Sequence, residues 1–418
     1  MTFFKNAGEK RYAFFPVYLT YFLDNFGLAI IYPIFTPIFL IPNYLIPAPY
    51  SFFHRTIILG LVIGVFPFAQ FIGAPLLGQF SDCYGRKRAF YITILGTAIG
   101  YTLTAYSILI HSLFLVFLSR FLTGLFASNL TLCLAAIVDM SPDEPSRTRN
   151  FGHIAAIGGL SFIVAIAMGG ILSDPSFGKY FNPSFPFWVT AGLAYINFLC
   201  MVLLFRETLR TTASDLQFFK GMHNIWTALR SKELRALYMG NFFFMLSWVA
   251  SMQFLPTFLI KHFHFTTFSL TLALVAIGIV WSIANVAINR RLAKRVIPAR
   301  TLQVCLFFLC MCLLSTIFAN SLSPFLSLFY PAVCFASLCW TNSLANVSLN
   351  APDTIQGSIL GINQSMTSLA AMLAPPLGGF FAGGGKGWLF SFTGCSALLA
   401  FLIISYANHM YKKNLAQR

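Results

Sequence analysis

Charge is what this chain has least of. Asp and Glu together number 11 in 418 residues, and all charged side chains make up 9%. A water-soluble domain carries about 25% charged residues, so a fold surrounded by water is excluded. No Gly-rich phosphate loop is present, which argues against work driven by nucleotide hydrolysis. The nine cysteines fall almost entirely inside apolar runs and form no ligand-like pairs in loops. Cys310 and Cys312 would point about 200° apart on a helix, so no metal site is expected and the thiols read as small apolar fillers. The first apolar run is too long for a secretory leader and lacks a small-residue cleavage site, so it reads as an uncleaved span. No enzymatic activity, cofactor or metal is expected.

What remains is 58% hydrophobic, cut into runs longer than about 18 residues that recur along the whole chain. The fold class expected is an all-α polytopic membrane protein with twelve transmembrane helices in two six-helix bundles. Spans are expected near 12–40, 56–78, 89–110, 113–140, 151–173, 185–205, 235–260, 269–290, 301–320, 325–350, 358–383 and 388–410. The domains are then residues 1–205, a cytoplasmic linker at 206–234, and residues 235–418.

A net charge of +16 could suggest nucleic-acid binding, but its distribution argues otherwise. Lys and Arg gather in every second loop, as in Arg86-Lys87-Arg88, Arg147 and Arg149, the 206–235 linker, Arg290 to Arg300, and both tails. The alternate loops hold only Arg55, Lys179, Lys261 and Lys386, and Arg120 lies inside a span. This bias places both termini in the cytoplasm, here of a cell inner membrane. A DNA-binding patch would not alternate loop by loop. In the linker, Phe218, Phe219, Met222, Ile225, Trp226 and Leu229 recur at helical spacing behind a Ser214-Asp215 cap. They read as an amphipathic helix on the membrane face.

Asp24, in Tyr21-Phe22-Leu23-Asp24-Asn25-Phe26-Gly27, is the one carboxylate placed well inside a span. An ionised carboxylate in hydrocarbon costs several kcal/mol, so such residues usually face a cavity and work there; the bland reading is a packing carboxyl satisfied by hydroxyls. Arg120 is the one basic residue in mid-span. Helix rise sets Asp24 about 18 Å from the inner end of its span and Arg120 about 10 Å below the outer end of the fourth. Direct pairing is therefore not assumed. Asp24, Asn25 and Arg120 are the expected proton-coupling group.

The loop after the second span reads Gly78-Gln79-Phe80-Ser81-Asp82-Cys83-Tyr84-Gly85-Arg86-Lys87-Arg88. Gly78 and Gly85 would permit a tight helix reversal, and Asp82 with the basic run supplies charges that can pair inside. This loop resembles the signature of the major facilitator superfamily, Gly-x-x-x-Asp-x-x-Gly-Arg-Lys/Arg-Lys/Arg, at each of those positions. Arg120-Phe121-Leu122-Thr123-Gly124 is similar to that family's Arg-x-x-x-Gly, and the span ends with Asp139. The first span, Leu23 to Pro33, resembles the drug:proton antiporter branch, tetracycline exporters included.

The resemblance implies a conformational switch. Asp82 would sit at the N-terminal end of span eleven, near Gly357-Ser358, and latch the halves, while Arg86 would pair with Asp139. One departure is plain: exporters of this branch carry a Gly-Pro kink in span five, whereas this chain has Ala165-Ile166-Ala167-Met168-Gly169-Gly170.

The second half places no Asp, Glu, Lys or Arg in mid-span. It offers Asn241, Gln253, Asn285, Asn342, Asn346, Asn363 and Gln364, with Trp340 and, in span two, Gln70, as candidate cavity groups. Singly, each serves equally as an interhelical hydrogen bond. The function expected is proton-coupled efflux of a small apolar or amphiphilic compound by a monomer in a lipid bilayer, with no nucleic-acid partner. The alternatives are proton-coupled uptake of a metabolite or siderophore, and a transport-incompetent sensor or assembly protein on the same scaffold.

Overall fold

The computed structural model describes residues 7–141, 143–209, 226–227, 230, 234–349 and 356–416. These residues form helices and no named strand. The helices are α1 (Ala7–Ala29), α2 (Tyr32–Leu40), α3 (Phe52–Tyr84), α4 (Arg86–Leu109), α5 (Leu113–Phe126), α6 (Asn129–Met140), α7 (Glu144–Ser173), α8 (Phe185–Leu204), α9 (Arg235–Phe263), α10 (Thr267–Ile283), α11 (Pro298–Ser315), α12 (Leu322–Leu349), α13 (Gln356–Gly383) and α14 (Trp388–Ala416). They supply 12 segments long and apolar enough to cross a bilayer. Segments such as Phe14–Leu40, Leu113–Met140, Arg235–Phe263 and Trp388–His409 end within a few residues of the hydropathy boundaries. The amphipathic helix expected from Ser214 to Leu229 lies outside the described residues apart from Trp226 and Thr227. Arg230 stacks its guanidinium 4.4 Å from the centre of the Trp226 ring.

Several spans are broken rather than continuous. The first splits into α1 and α2 because Pro33 has no N–H to donate and favours the first turn of a helix. The chain restarts with Phe35 N bonding Ile31 O at 2.8 Å. Glycine at 169 lets α7 reach this break, since a Cβ there would lie 3.0 Å from the Ile30 carbonyl. The fourth span splits at Ala127-Ser128. The eighth continues from α10 through a π-helical stretch, Ala284–Asn289, of the kind often found at functional sites.

The chain divides into two compact units: residues 1–48 with 65–219, and 49–64 with 220–418. In the first, a core of Val17, Phe90, Ile94, Leu132, Ile137, Met201 and Phe205 joins α1, α4, α6 and α8. Small residues set the close approaches typical of helices in lipid; a Cβ on Gly124 would strike the Phe66 carbonyl. In the second unit, Phe258 stacks on Phe325 at 4.9 Å and meets Phe390 edge-on at 4.9 Å. Part of the 48-fold phenylalanine content thus becomes ring-to-ring packing of α9, α12 and α14.

Candidate functional site

Asp24 is 8% exposed and points into a small cavity of the first unit, lined by Thr20, Leu23, Ile94, Thr97, Tyr101, Asn129, Ala194 and Asn197. The cavity has room for about one water. Asn129 donates to Asp24 Oδ1 at 3.0 Å, and on the neighbouring wall Asn197 donates to Thr20 Oγ1 at 3.0 Å. These polar groups come from α1, α4, α6 and α8, and every partner of Asp24 there is neutral. No ion pair involves Asp24 among the described residues. Asn25 turns away, donating to the Tyr21 carbonyl of its own helix at 2.9 Å, and does not line the cavity.

Arg120 is fully buried on α5. Its guanidinium stacks 4.5 Å from the centre of the Phe66 ring and 5.7 Å from that of Phe35, and its Nε and Nη1 have no hydrogen-bond partner among the described residues. Tyr101 lines the same cavity as Asp24. Its hydroxyl fills the space beside Gly27 that a side chain would need.

The motif after α3 forms a second constellation. The chain reverses at Gly85, whose φ of 103° belongs to the region that L side chains rarely adopt. Gly78 lies inside α3 with nothing within 4 Å of where its Cβ would be. The expectation that both glycines make the reversal is therefore corrected: Gly85 alone does so. Arg86 bridges Asp82 at 2.5 Å and Asp139 at 3.2 Å, and also donates to Ser81 Oγ at 2.9 Å. Lys87 donates from Nζ to the Val202 carbonyl at 3.2 Å. Arg88 is exposed, with no partner among the described residues.

Glu207, just beyond α8, was not singled out from the sequence. Its carboxylate accepts from Arg86 N at 2.9 Å and Lys87 N at 3.1 Å, capping the first turn of α4 where backbone N–H groups lack helical partners. The clue available was a carboxylate at the very start of the basic linker. Tyr101, Asn129 and Asn197 were missed too, being neutral residues spread over three other helices.

The second-half candidates mostly bond to one another. Asn241 donates to Asn363 Oδ1 at 3.1 Å and Thr367 Oγ1 at 3.0 Å, and accepts from Ser343 at 2.8 Å, tying α9, α12 and α13. Asn342 donates to Asn289 at 2.9 Å, and Asn285 to Ser337 at 2.6 Å, so the π-helical stretch is stitched to α12. Gln70 donates to the Ala127 carbonyl at the α5–α6 break at 2.6 Å. Gln253 keeps a buried Oε1 without a partner among the described residues, Asn346 is buried, and Gln364 is exposed. Trp340 is 44% exposed and sits edge-on to Trp281 at 6.3 Å, which stacks on Trp248 at 5.3 Å.

Among proteins of known name, the chain is 32% identical over 154 residues to the class H tetracycline resistance protein of Pasteurella multocida, covering 37% of this chain and 36% of that one. It is 24% identical over 204 residues to the quinolone resistance protein NorA of Staphylococcus aureus strain MRSA252, covering 49% and 47%. The matched stretches thus span between a third and a half of these relatives' lengths. A solved bacterial homologue of the human lysosomal transporter Spinster, inward-facing and unoccupied, superposes with a TM-score of 0.78 at 14% identity, covering 98% of each chain. At that identity the likeness speaks for the fold. The model of the Major Facilitator Superfamily matches residues 17–366, a stretch holding the buried carboxylate, the Gly85 reversal and the Arg86 bridges, and on that match this chain belongs to the Major Facilitator Superfamily.

Proposed function

We propose that this protein is a secondary active transporter that exports a small, largely apolar or amphiphilic compound in exchange for protons. It would act as a monomer in the cell inner membrane with both termini cytoplasmic. The observation that carries this reading is Asp24: a buried carboxylate on the first span, held by the neutral Asn129 in a cavity with room for water. A carboxyl without a fixed counter-ion can take up a proton on one side and release it when its surroundings rehydrate. Each 100 mV is worth about 2.3 kcal/mol per charge moved and each pH unit roughly 1.4. One proton driven by both could sustain a gradient of roughly several hundredfold, with no nucleotide needed.

Arg86, bridging Asp82 and Asp139, would serve as the conformational switch. Breaking and remaking these pairs would accompany opening and closing of the cytoplasmic side. The partial likeness to tetracycline and quinolone resistance proteins supports export. Uptake is the second reading, favoured by the missing Gly-Pro before Gly169.

The deciding experiment is transport in proteoliposomes with the Asp24→Asn variant. Loss of pH-driven flux in a folded protein is expected, and unchanged coupling would remove Asp24 from the mechanism. Direction is read in inside-out vesicles, where accumulation driven by an acidic interior means export.

A further inference from the structure

The cavity that holds Asp24 is richer in unspent acceptors than in unspent donors. Its polar lining is Thr20, Asp24, Thr97, Asn129 and Asn197, with the phenol of Tyr101. Thr97 turns its hydroxyl hydrogen to the Ile94 carbonyl of its own helix at 3.0 Å. Thr20 has one hydroxyl hydrogen, and the Pro16 carbonyl at 2.7 Å is a nearer acceptor than Asn197 Oδ1 at 3.4 Å. The amides donate as well, Asn129 to Asp24 Oδ1 at 3.0 Å and Asn197 to Thr20 Oγ1 at 3.0 Å. Asn129 is 3% exposed, and its Oδ1 has no hydrogen-bond partner among the described residues. Carboxylate, amide and hydroxyl oxygens from α1, α4, α6 and α8 thus surround one small space.

A buried acceptor without a donor, beside a buried carboxylate without a counter-ion, carries two separate costs. A water molecule would relieve the first. A cation relieves both, because it satisfies the Asn129 oxygen and balances the Asp24 charge. One carboxylate balances one positive charge, and no group of three or more His, Cys, Asp or Glu side chains gathers among the described residues. A divalent ion would therefore stay unbalanced in the interior, which favours a monovalent one. The space takes about one water, so the occupant is a small ion that has exchanged its hydration shell for protein oxygens. Hard cations take this kind of ligand. Sodium meets these conditions better than the larger potassium.

We propose that Asp24, Asn129, Asn197, Thr20 and Thr97 form a sodium-binding site inside the first unit. Leu23, Ile94 and Ala194 complete the lining and give the bound ion an apolar wall. For the place of Asp24 in a transport cycle this inference rests on the function proposed above, and it deepens that reading by naming a second ion the same carboxylate can carry. The site itself is a matter of equilibrium binding and needs no flux. Neutral oxygens drawn from four helices leave no mark in a sequence searched for Cys, His and acid clusters.

The test is thermal unfolding of the full chain in detergent, titrated with sodium, potassium or choline chloride at equal ionic strength and at an alkaline pH that keeps Asp24 ionised. Sodium should raise the unfolding temperature saturably, as a ligand of the folded state does, and potassium and choline should not. Asp24→Asn should abolish the sodium response. Thr97→Val removes a hydroxyl bonded to a carbonyl of its own helix, so the variant should fold. It should weaken sodium binding by about tenfold, the low end of the loss seen when even supporting groups of metal sites are removed, and Thr97→Ser should restore it. Equal responses to the three salts overturn the proposal, as does a sodium response that persists in Asp24→Asn or is unchanged in Thr97→Val. Proton coupling is read separately, as pH-driven flux in sodium-free proteoliposomes, so either reading can fail while the other stands.

Discussion

The hydroxyl of Tyr101 on α4 lies against the backbone of Gly27 on α1, one helical turn beyond Asp24. No side chain larger than hydrogen fits there, so the phenol is pinned beside the buried carboxylate. Gly27→Ala forces the ring aside and should cost about 1–3 kcal/mol as an overpacked site, measured by thermal unfolding in detergent. Tyr101→Phe keeps the ring and removes a hydroxyl from the cavity that holds Asp24. It should fold normally and shift the pH dependence of transport. An unaltered pH profile would restrict Tyr101 to packing.

Gln70 reads from the sequence as a cavity group, yet its amide binds the Ala127 carbonyl freed where α5 gives way to α6. Gln70→Ala leaves that carbonyl without its partner, at a cost of about 1–3 kcal/mol if it stays dry. The expected result is a lower unfolding temperature with substrate affinity unchanged. An affinity defect at normal stability would return Gln70 to substrate recognition.

Asn241 makes the same point in the second unit. It bonds Asn363, Thr367 and Ser343 at once. Interhelical polar contacts in membrane proteins average about 0.6 kcal/mol each and reach about 1.7, so Asn241→Leu should destabilise by roughly 1–3 kcal/mol. The companion Trp340→Ala removes a half-exposed ring from the edge of the Trp248–Trp281 stack. It should leave stability within about 1 kcal/mol and weaken binding of an aromatic substrate. If the two variants exchange these effects, the amide is the recognition group and the indole a packing residue.

How much of this was legible beforehand follows from the range of the interactions. Span positions depend on runs of neighbouring residues, so hydropathy placed them within a few positions. The Asp24 carboxylate stood out because no other acid shares its setting. The Arg86–Asp139 pair was anticipated through the motif's resemblance to a family. The partners that give the site its character are non-local: Asn129 is 105 positions from Asp24, and Glu207 is 121 from Arg86. Nothing in the local sequence marks one neutral amide as a carboxylate's donor rather than another. The same reason explains why several polar candidates of the second half turned out to satisfy each other. Helix breaks at Ile30-Ile31 and Ala127-Ser128 were hidden inside hydrophobic runs, because hydropathy does not register which backbone carbonyls lose their partners.

Glu207 offers the sharpest test of the motif loop, because it touches the switch through backbone rather than charge pairs. Its two oxygens hold Arg86 N and Lys87 N, and its position beside Gly85 leaves no space for a side chain at the reversal. Arg86, fixed at its backbone, then directs its guanidinium to Asp82 and Asp139. Glu207→Ala removes the cap, which should cost about 0.5–2 kcal/mol, the range for lost helix caps. Glu207→Gln keeps one acceptor and should recover part of that. If Arg86 is positioned through this cap, Glu207→Ala should also slow the transport cycle by about as much as Asp139→Asn, and the double variant should add little further loss. Fully additive rates would mean that Glu207 steadies α4 without acting on the Arg86 bridges.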